Sequence, residues 1–294
     1  MRQGATDVPR RSAILGRWRT WIIRSPLLLL APALLWICLF FLIPLGLMVW
    51  QSLAEKGIAP YLQVFSTPLY LRVFATTLKI CTITTMACLL LGYPIAHALT
   101  ASGPTLRALL LPLVVLPYWL DYIVRSYSWL ILLGRRGLAN NLLVGLGVID
   151  APLKLLYNLF SVSIGMVQIL LPLMILTLFG AMLRIDRTLL DAASIHGASR
   201  WNAFRTVFFP LSLPGVYGAC LLVFVTSLGF YITPALLGGP EQTMISQSIM
   251  ILASELLDWP AASAAGVLLL AISLALVILY NRLFSLDRVW GNAQ

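Results

Sequence analysis

The chain has 294 residues, of which 60% are hydrophobic and 10% charged, with a mean hydropathy of +0.94. That composition excludes a soluble domain and defines an integral membrane protein. The net charge of +10 does not signal nucleic-acid binding, because most of it is spent on membrane topology.

Six apolar stretches reach the length of a bilayer-crossing helix, about 20 residues each. They lie near 27–50, 75–100, 108–133, 159–183, 214–237 and 262–283. The expected fold class is therefore all-α, with six transmembrane helices. The first stretch follows Arg10, Arg11, Arg17, Arg19 and Arg24. It is longer than a signal-peptide core and lacks a small-residue cleavage site, so it reads as a retained span. Placing the N-terminus in the cytoplasm leaves thirteen of the twenty Lys and Arg residues inside, including Arg107, Arg184, Arg187, Arg200, Arg205, Arg282 and Arg288. The basic excess then falls on the cytoplasmic side, and both termini are expected there. Residues 1–26 form a basic arm, 27–283 the membrane domain and 284–294 a short tail. Cys38, Cys81, Cys88 and Cys220 all fall within spans, without CxxC spacing or a nearby His, and read as buried packing residues.

The third span carries Asp121 and Arg125, four residues apart and so on one helical face. Tyr118, Tyr122, Ser128 and Trp129 continue nearly the same stripe. Two readings stand. The two charges neutralise each other and hold the helix in place, or they line a solute path. On the second, Asp121 attracts an ammonium while the rings of that stripe, Tyr118, Tyr122 and Trp129, offer cation–π faces, or Arg125 attracts an anion; Trp119 is counted with the path residues. The fifth span has Phe230 and Tyr231 before Pro234 and the Gly238-Gly239 pair. Pro234 removes a helical hydrogen bond, so this place is either a simple kink or a broken helix lining a path.

Outside segments are expected at 51–74, 134–158 and 238–261. In the last, Ile249, Leu252 and Leu256 recur at helical spacing and suggest a helix along the outer surface. Asp258 and Trp259 suit either contact with a soluble partner or interfacial anchoring.

Residues 184–213 form the largest inside segment. Asp186 can cap a helix that Gly197 ends, and Ser199 can cap a second one carrying Trp201, Phe204 and Phe208 until Pro210 and Pro214 stop it. Ala192 and Ala193 keep one face low, so that another backbone can approach closely. A connector resting on the bilayer surface is the plain alternative. His97, expected at a helix end, and His196, inside this loop, belong to no HExxH or triad arrangement.

Asp191-Ala192-Ala193, three residues, Gly197, nine residues, then Val207-Phe208-Phe209-Pro210 resembles the EAA loop of bacterial ABC importer permeases, with Asp for Glu, Val for Ile and Phe for Leu. The stretches PYWLDYIVRSYSWLILLGRRGLANNLLVGLGVID, VQILLPLMILTLFGAMLRIDRTLLDAA, LGFYITPALLGGPEQTMIS and LDWPAASAAGV look like successive landmarks of the spermidine/putrescine-type permease, in the same order. The resemblance implies a type I importer (MetI-like) architecture in the bacterial inner membrane. It implies that Asp191, Ala192, Ala193, His196, Gly197, Ala198, Arg200 and Pro210 belong to the loop that docks on a cytoplasmic ATPase dimer. It also implies a second, different permease chain, a periplasmic substrate-binding protein and a small cationic cargo. Related permeases carry other amines, amino-acid-like solutes or anions. No GxxxxGK[ST] loop is present, so ATP and Mg are expected only in the partner ATPase, and the chain is not expected to be an enzyme or to bind a cofactor. An intramembrane enzyme would need catalytic groups facing each other across spans, and a secondary transporter would usually show inverted repeats. The sequence offers neither.

Overall fold

The computed structural model describes residues 26–283. The basic arm and the C-terminal tail lie outside the described residues. Every regular element described is helical. The chain runs through α1 (Pro26–Ile37), a π turn (Cys38–Leu42), α2 (Ile43–Ala54), α3 (Ala59–Ser66), α4 (Pro68–Ala101), α5 (Pro104–Val115) and a 3-10 turn (Leu116–Trp119). It continues through α6 (Tyr122–Leu133), α7 (Leu138–Gly145), α8 (Leu159–Met182), α9 (Thr188–Ile195) and α10 (Arg200–Ala203). A second π turn (Phe204–Phe208), α11 (Phe209–Leu228), α12 (Ile232–Leu237), α13 (Ile245–Ser254) and α14 (Trp259–Leu283) complete it. Five rods are each long and apolar enough to cross a membrane, and the pair 104–119 with 122–145 makes a sixth, bent by 90°.

The bend corrects the expectation of a straight third span. Pro112 and Pro117 remove two backbone donors, Leu120 is extended, and Asp121 restarts the helix as its N-cap, its carboxylate accepting from Ile123 N at 2.6 Å. Asp121 is thus the cap of α6 and Arg125 lies one turn on, its N–H on Asp121 O at 3.2 Å, while Tyr118 and Trp119 fall on the other side of the bend.

The fifth span is also displaced from its expected bounds. The rod runs Arg200–Leu228, so Pro210 and Pro214 do not stop the second loop helix. The π turn explains why. Phe209 N–H reaches back five residues to Phe204 O just before Pro210, and this wider turn makes room for a ring that would collide with a carbonyl in α register. The first rod uses the same device, with Ile43 N–H on Cys38 O just before Pro44. At the other end the chain breaks at Gly229–Tyr231, ahead of Pro234, which lies buried in the first turn of α12. A missing N–H costs nothing there, so Pro234 is not the breaker.

The core forms where α4, α8 and α11 pack together. Cys88, Ala96, Leu99, Leu170, Met174, Leu178, Val216, Ala219 and Val223 are buried as one cluster, and Ile80, Cys81, Val162, Met166, Leu228, Leu237 and Met244 as a second. A Cβ on Gly215 would lie 2.4 Å from Ala181 Cβ, so glycine is what lets α11 approach α8. The first rod buries none of its apolar window and packs on α14. Cys38 there is exposed and Cys220 half-buried, so only Cys81 and Cys88 are the buried thiols expected.

The outside segments are more structured than loops. Residues 59–66 and 138–145 are helices, and buried Asn140 ties α7 down, bonding Gly134 O and Leu153 O and accepting from Leu153 N. Helix α13 takes in Ile249 and Leu252 but ends at Ser254, short of Leu256, and it is anchored in the interior at its N-terminal end. Met244 and Ile245 are fully buried, and Ile245 N donates to Thr77 Oγ1 at 2.9 Å.

Candidate functional site

The bend between α5 and α6 creates a cavity of about 410 Å³ lined by Tyr118, Trp119, Leu120, Asp121, Tyr122, Arg125, Ile169, Leu170, Thr226 and Phe230. Six of the seven residues suspected of lining a solute path therefore meet, although for a reason the sequence did not reveal. The 90° turn folds Tyr118 and Trp119 back over the start of α6, where a straight helix would have spread them along one face. Tyr231 is not among the lining residues and instead precedes α12 as its N-cap. Ser128 and Trp129 belong to a smaller cavity of about 270 Å³, shared with Leu120, Arg125, Leu132 and Gln168.

The two charges of this region behave differently. Asp121 is exposed to the cavity and carries one short backbone hydrogen bond. Arg125 is 7% exposed, and its Nε and Nη1 have no hydrogen-bond partner among the described residues. They form no ion pair within 4 Å, the one such pair among the described residues being Lys56–Asp258 at 3.2 Å. The mutual neutralisation of the first reading is therefore not realised as a direct ion pair. Gln168, whose amide oxygen is also buried without a partner, escaped the sequence reading. The signal was there, a lone amide in the apolar run VSIGMVQILL.

At the opposite end of the rods, residues 184–213 build the helix, bend and helix that the spacing predicts. Asp186 Oδ1 accepts from Thr188 N at 2.9 Å, a bond that holds its carboxyl below the usual carboxylate range. Gly197 has φ +82°, and Ser199 Oγ accepts from Asn202 N at 3.3 Å. Helix α9 leaves Leu189 and Ile195 exposed, the latter at 85%, while Leu190 packs on the core. Ala192, His196 and Gly197 are exposed, as is Pro210 one turn into the rod. Asp191, Ala198 and Arg200 line a cavity of about 520 Å³ with His97, Arg187, Phe204 and Phe208. His97, near the end of α4, meets the rings of Phe204 and Phe208 edge-on at 5.1 and 4.7 Å, and Trp201 stacks on Phe204 at 5.6 Å. Sequence reasoning missed how this loop is anchored. Arg107 donates to Leu99 O, Thr100 O and Ser102 O at 3.0–3.1 Å, its guanidinium sits 5.6 Å from the Phe179 ring centre, and Arg187 donates to the same Thr100 carbonyl. Two guanidinium groups on the last turn of α4 also complement the negative end of its dipole.

Residues 89–286 match the family described as binding-protein-dependent transport system inner membrane component. The chain is 35% identical over 260 residues to the spermidine/putrescine transport system permease protein PotB of Haemophilus influenzae, covering 84% of this chain and 90% of that one. It is 32% identical over 256 residues to PotB of Escherichia coli K12, covering 84% and 93%. Among solved structures it resembles a bacterial alginate ABC transporter captured with an alginate pentasaccharide-bound periplasmic protein, at a TM-score of 0.68, 18% identity and coverage of 95% and 98%.

Proposed function

The chain belongs to the family of binding-protein-dependent transport system inner membrane components, multi-pass permease subunits, and on that premise we propose that it carries a small polyamine such as spermidine or putrescine. The observation that carries the cargo assignment is the cavity in which the Asp121 carboxylate stands among the rings of Tyr118, Trp119, Tyr122 and Phe230. A carboxylate attracts an ammonium, and the aromatic faces offer cation–π contact, while the largely buried Arg125 lines the same cavity. The PotB relatives, named for spermidine and putrescine transport, support the same cargo.

In this reading both termini lie in the cytoplasm, as the distribution of Lys and Arg favours. The loop 184–213 faces a cytoplasmic ATPase dimer, which binds the ATP and Mg. Asp191, Ala192, Ala193, His196, Gly197, Ala198 and Arg200 form or border the docking helix, and Pro210 sits where the loop enters the membrane rod. Closure of the ATPases moves α9. Arg187 and the ring contacts of His97 with Phe204 and Phe208 pass that movement to α4 and to the rod that begins at Arg200. The solute cavity then opens alternately to a periplasmic binding protein and to the cytoplasm. A second, different permease chain completes the path.

The test is ATP hydrolysis and uptake by the complex in liposomes, with binding protein loaded with spermidine, loaded with an anionic solute, or empty. Asp121→Asn is the informative variant, because Asn preserves the N-cap bond while removing the charge. Spermidine is expected to stimulate hydrolysis, and Asp121→Asn to lower spermidine uptake at least about tenfold, the equivalent of roughly 1.4 kcal/mol. Stimulation by the anionic solute, with Asn harmless, would retain a permease and reject the polyamine.

A further inference from the structure

We propose that the cavity behind α9 binds a small aromatic acid, a planar ring carrying an acid group and a hydroxyl, and that the bound acid clamps α9 to the rods. The site itself needs no particular cargo, whereas its effect on transport rests on the permease reading.

Helix α9 is polar on its inner side. Arg187, Leu190, Asp191 and Ser194 stand at i, i+3, i+4 and i+7, so they share one face, and all four line the cavity of about 520 Å³ between this helix and the ends of the rods. Leu189, Ala192 and His196 are exposed on the opposite face. A helix that packs on its own protein by an apolar stripe has the reverse arrangement. Docking on an ATPase accounts for Leu189 and Ala192 facing outward, but it leaves the inner polar groups without a purpose.

Those inner groups keep most of their hydrogen-bonding capacity. Arg187 gives an N–H to Thr100 O, one of the five that a guanidinium holds. Asp191 and Arg200 line the same cavity without an ion pair to each other or to any other described residue. Ser194 Oγ donates to Leu190 O, which leaves its lone pairs to accept.

The wall facing them is ring and hydrocarbon. Phe204 stacks on Phe208 at 5.9 Å, His97 stands edge-on to both, and Met182 and Ile185 line the cavity beside them. A planar ring packs well on such a wall. An acid group on that ring meets Arg187 and Arg200, whose planar forks match a carboxylate, and a hydroxyl donates to Asp191 or Ser194. Two guanidinium groups against one carboxylate leave the cavity net positive, which selects an acid over an amine. An occupant here touches α9 on one side and the end of α4 and the start of the rod at Arg200 on the other, so it opposes their separation. Transport driven by movement of α9 slows as a consequence.

The probe is a fluorescent hydroxynaphthoate, followed by anisotropy on the full complex in detergent, with the ATPase alone and the binding protein alone as blanks. Saturable binding beyond both blanks is expected. Naphthol, which lacks the acid, should bind at least about tenfold more weakly, and acetate, which lacks the ring, should not compete. Arg200→Gln is expected to weaken binding at least about tenfold, whereas Arg205→Gln, exposed and outside the cavity, leaves it unchanged. Ser194→Trp fills the cavity and should abolish binding. At saturation, limited proteolysis of the 184–213 loop should slow at least about threefold, as a clamped α9 opens less often. Binding no greater than the blanks, equal affinity for naphthol, or an unchanged affinity with Arg200→Gln overturns the site, and binding without protection of the loop overturns the clamp. If Ser194→Trp fails to assemble, the contrast of Arg200→Gln with Arg205→Gln decides. None of these readouts uses spermidine, so a failed polyamine assay is distinguishable from failure here.

Discussion

Arg187 and Arg107 converge on one carbonyl, Thr100 O, at the end of α4, and this ties the loop to α4. Losing a charged hydrogen-bond donor from a partly buried carbonyl costs about 1.5–3 kcal/mol. Arg107→Gln, which loses several such bonds, is expected to lower the melting temperature of the purified complex. Arg187→Gln should lower solute moved per ATP, with ATPase co-purification preserved; equal loss of hydrolysis and uptake would instead mark Arg187 as a docking residue. Gly197 is a backbone requirement, because no atom lies within 4 Å of where its Cβ would stand, yet φ is +82°. Gly197→Ala should therefore destabilise the bend by about 1 kcal/mol, read as faster limited proteolysis of the 184–213 loop. Gly197 was legible from the sequence as the end of a helix, whereas Asp191 was singled out only by the resemblance to the EAA loop. Arg107 was not, because it contacts Leu99–Ser102 across a turn between two rods and the sequence carries no periodic trace of that contact.

Among the elements, two rods place a π turn immediately before a proline, at Cys38–Leu42 and at Phe204–Phe208. Pro210 was read as a stop and Pro44 was placed within a span; in both places a single wide turn absorbs the proline and the rod continues. In α5 the same residue type ends the helix, since Pro117 is followed by extended Leu120 and the Asp121 cap. Proline marks a place of backbone adjustment, and packing chooses between bulge and break. The contact of α11 with α8 depends on a missing side chain at Gly215. Gly215→Val would force atoms into the 2.4 Å approach to Ala181 Cβ, and a loss of about 1–3 kcal/mol is expected for such overpacking. It would appear as lower yield of folded permease in gel filtration, with Gly215→Ala intermediate.

At the scale of the whole molecule, the rods separate two ends, one carrying the α9 loop and the other α3, α7 and the Lys56–Asp258 pair. If the loop end is cytoplasmic, a cysteine placed at Ile195, which is 85% exposed, should react with a membrane-impermeant maleimide only after spheroplasts are permeabilised. A cysteine at Leu257, 66% exposed at the other end, should react in intact spheroplasts. The reverse pattern would invert the topology and remove α9 from any cytoplasmic partner.

Composition and apolar run length by themselves determined that this is an all-α membrane protein with six spanning segments, because a bilayer demands long runs of apolar helix whatever the packing. Short-range spacing likewise determined the helix, glycine bend and capped helix of 186–203, whose bonds all lie within a few residues. Only the tertiary structure decided the 90° bend, the gathering of Tyr118, Trp119, Asp121 and Phe230 around one cavity, and the burial of Arg125 without an anion. The bend rests on local prolines and a cap whose outcome periodicity does not reveal, and the cavities depend on residues more than forty apart in the chain, such as Arg125 on α6 and Gln168 on α8 around one cavity; hydrophobic periodicity carries no information about which rods will meet.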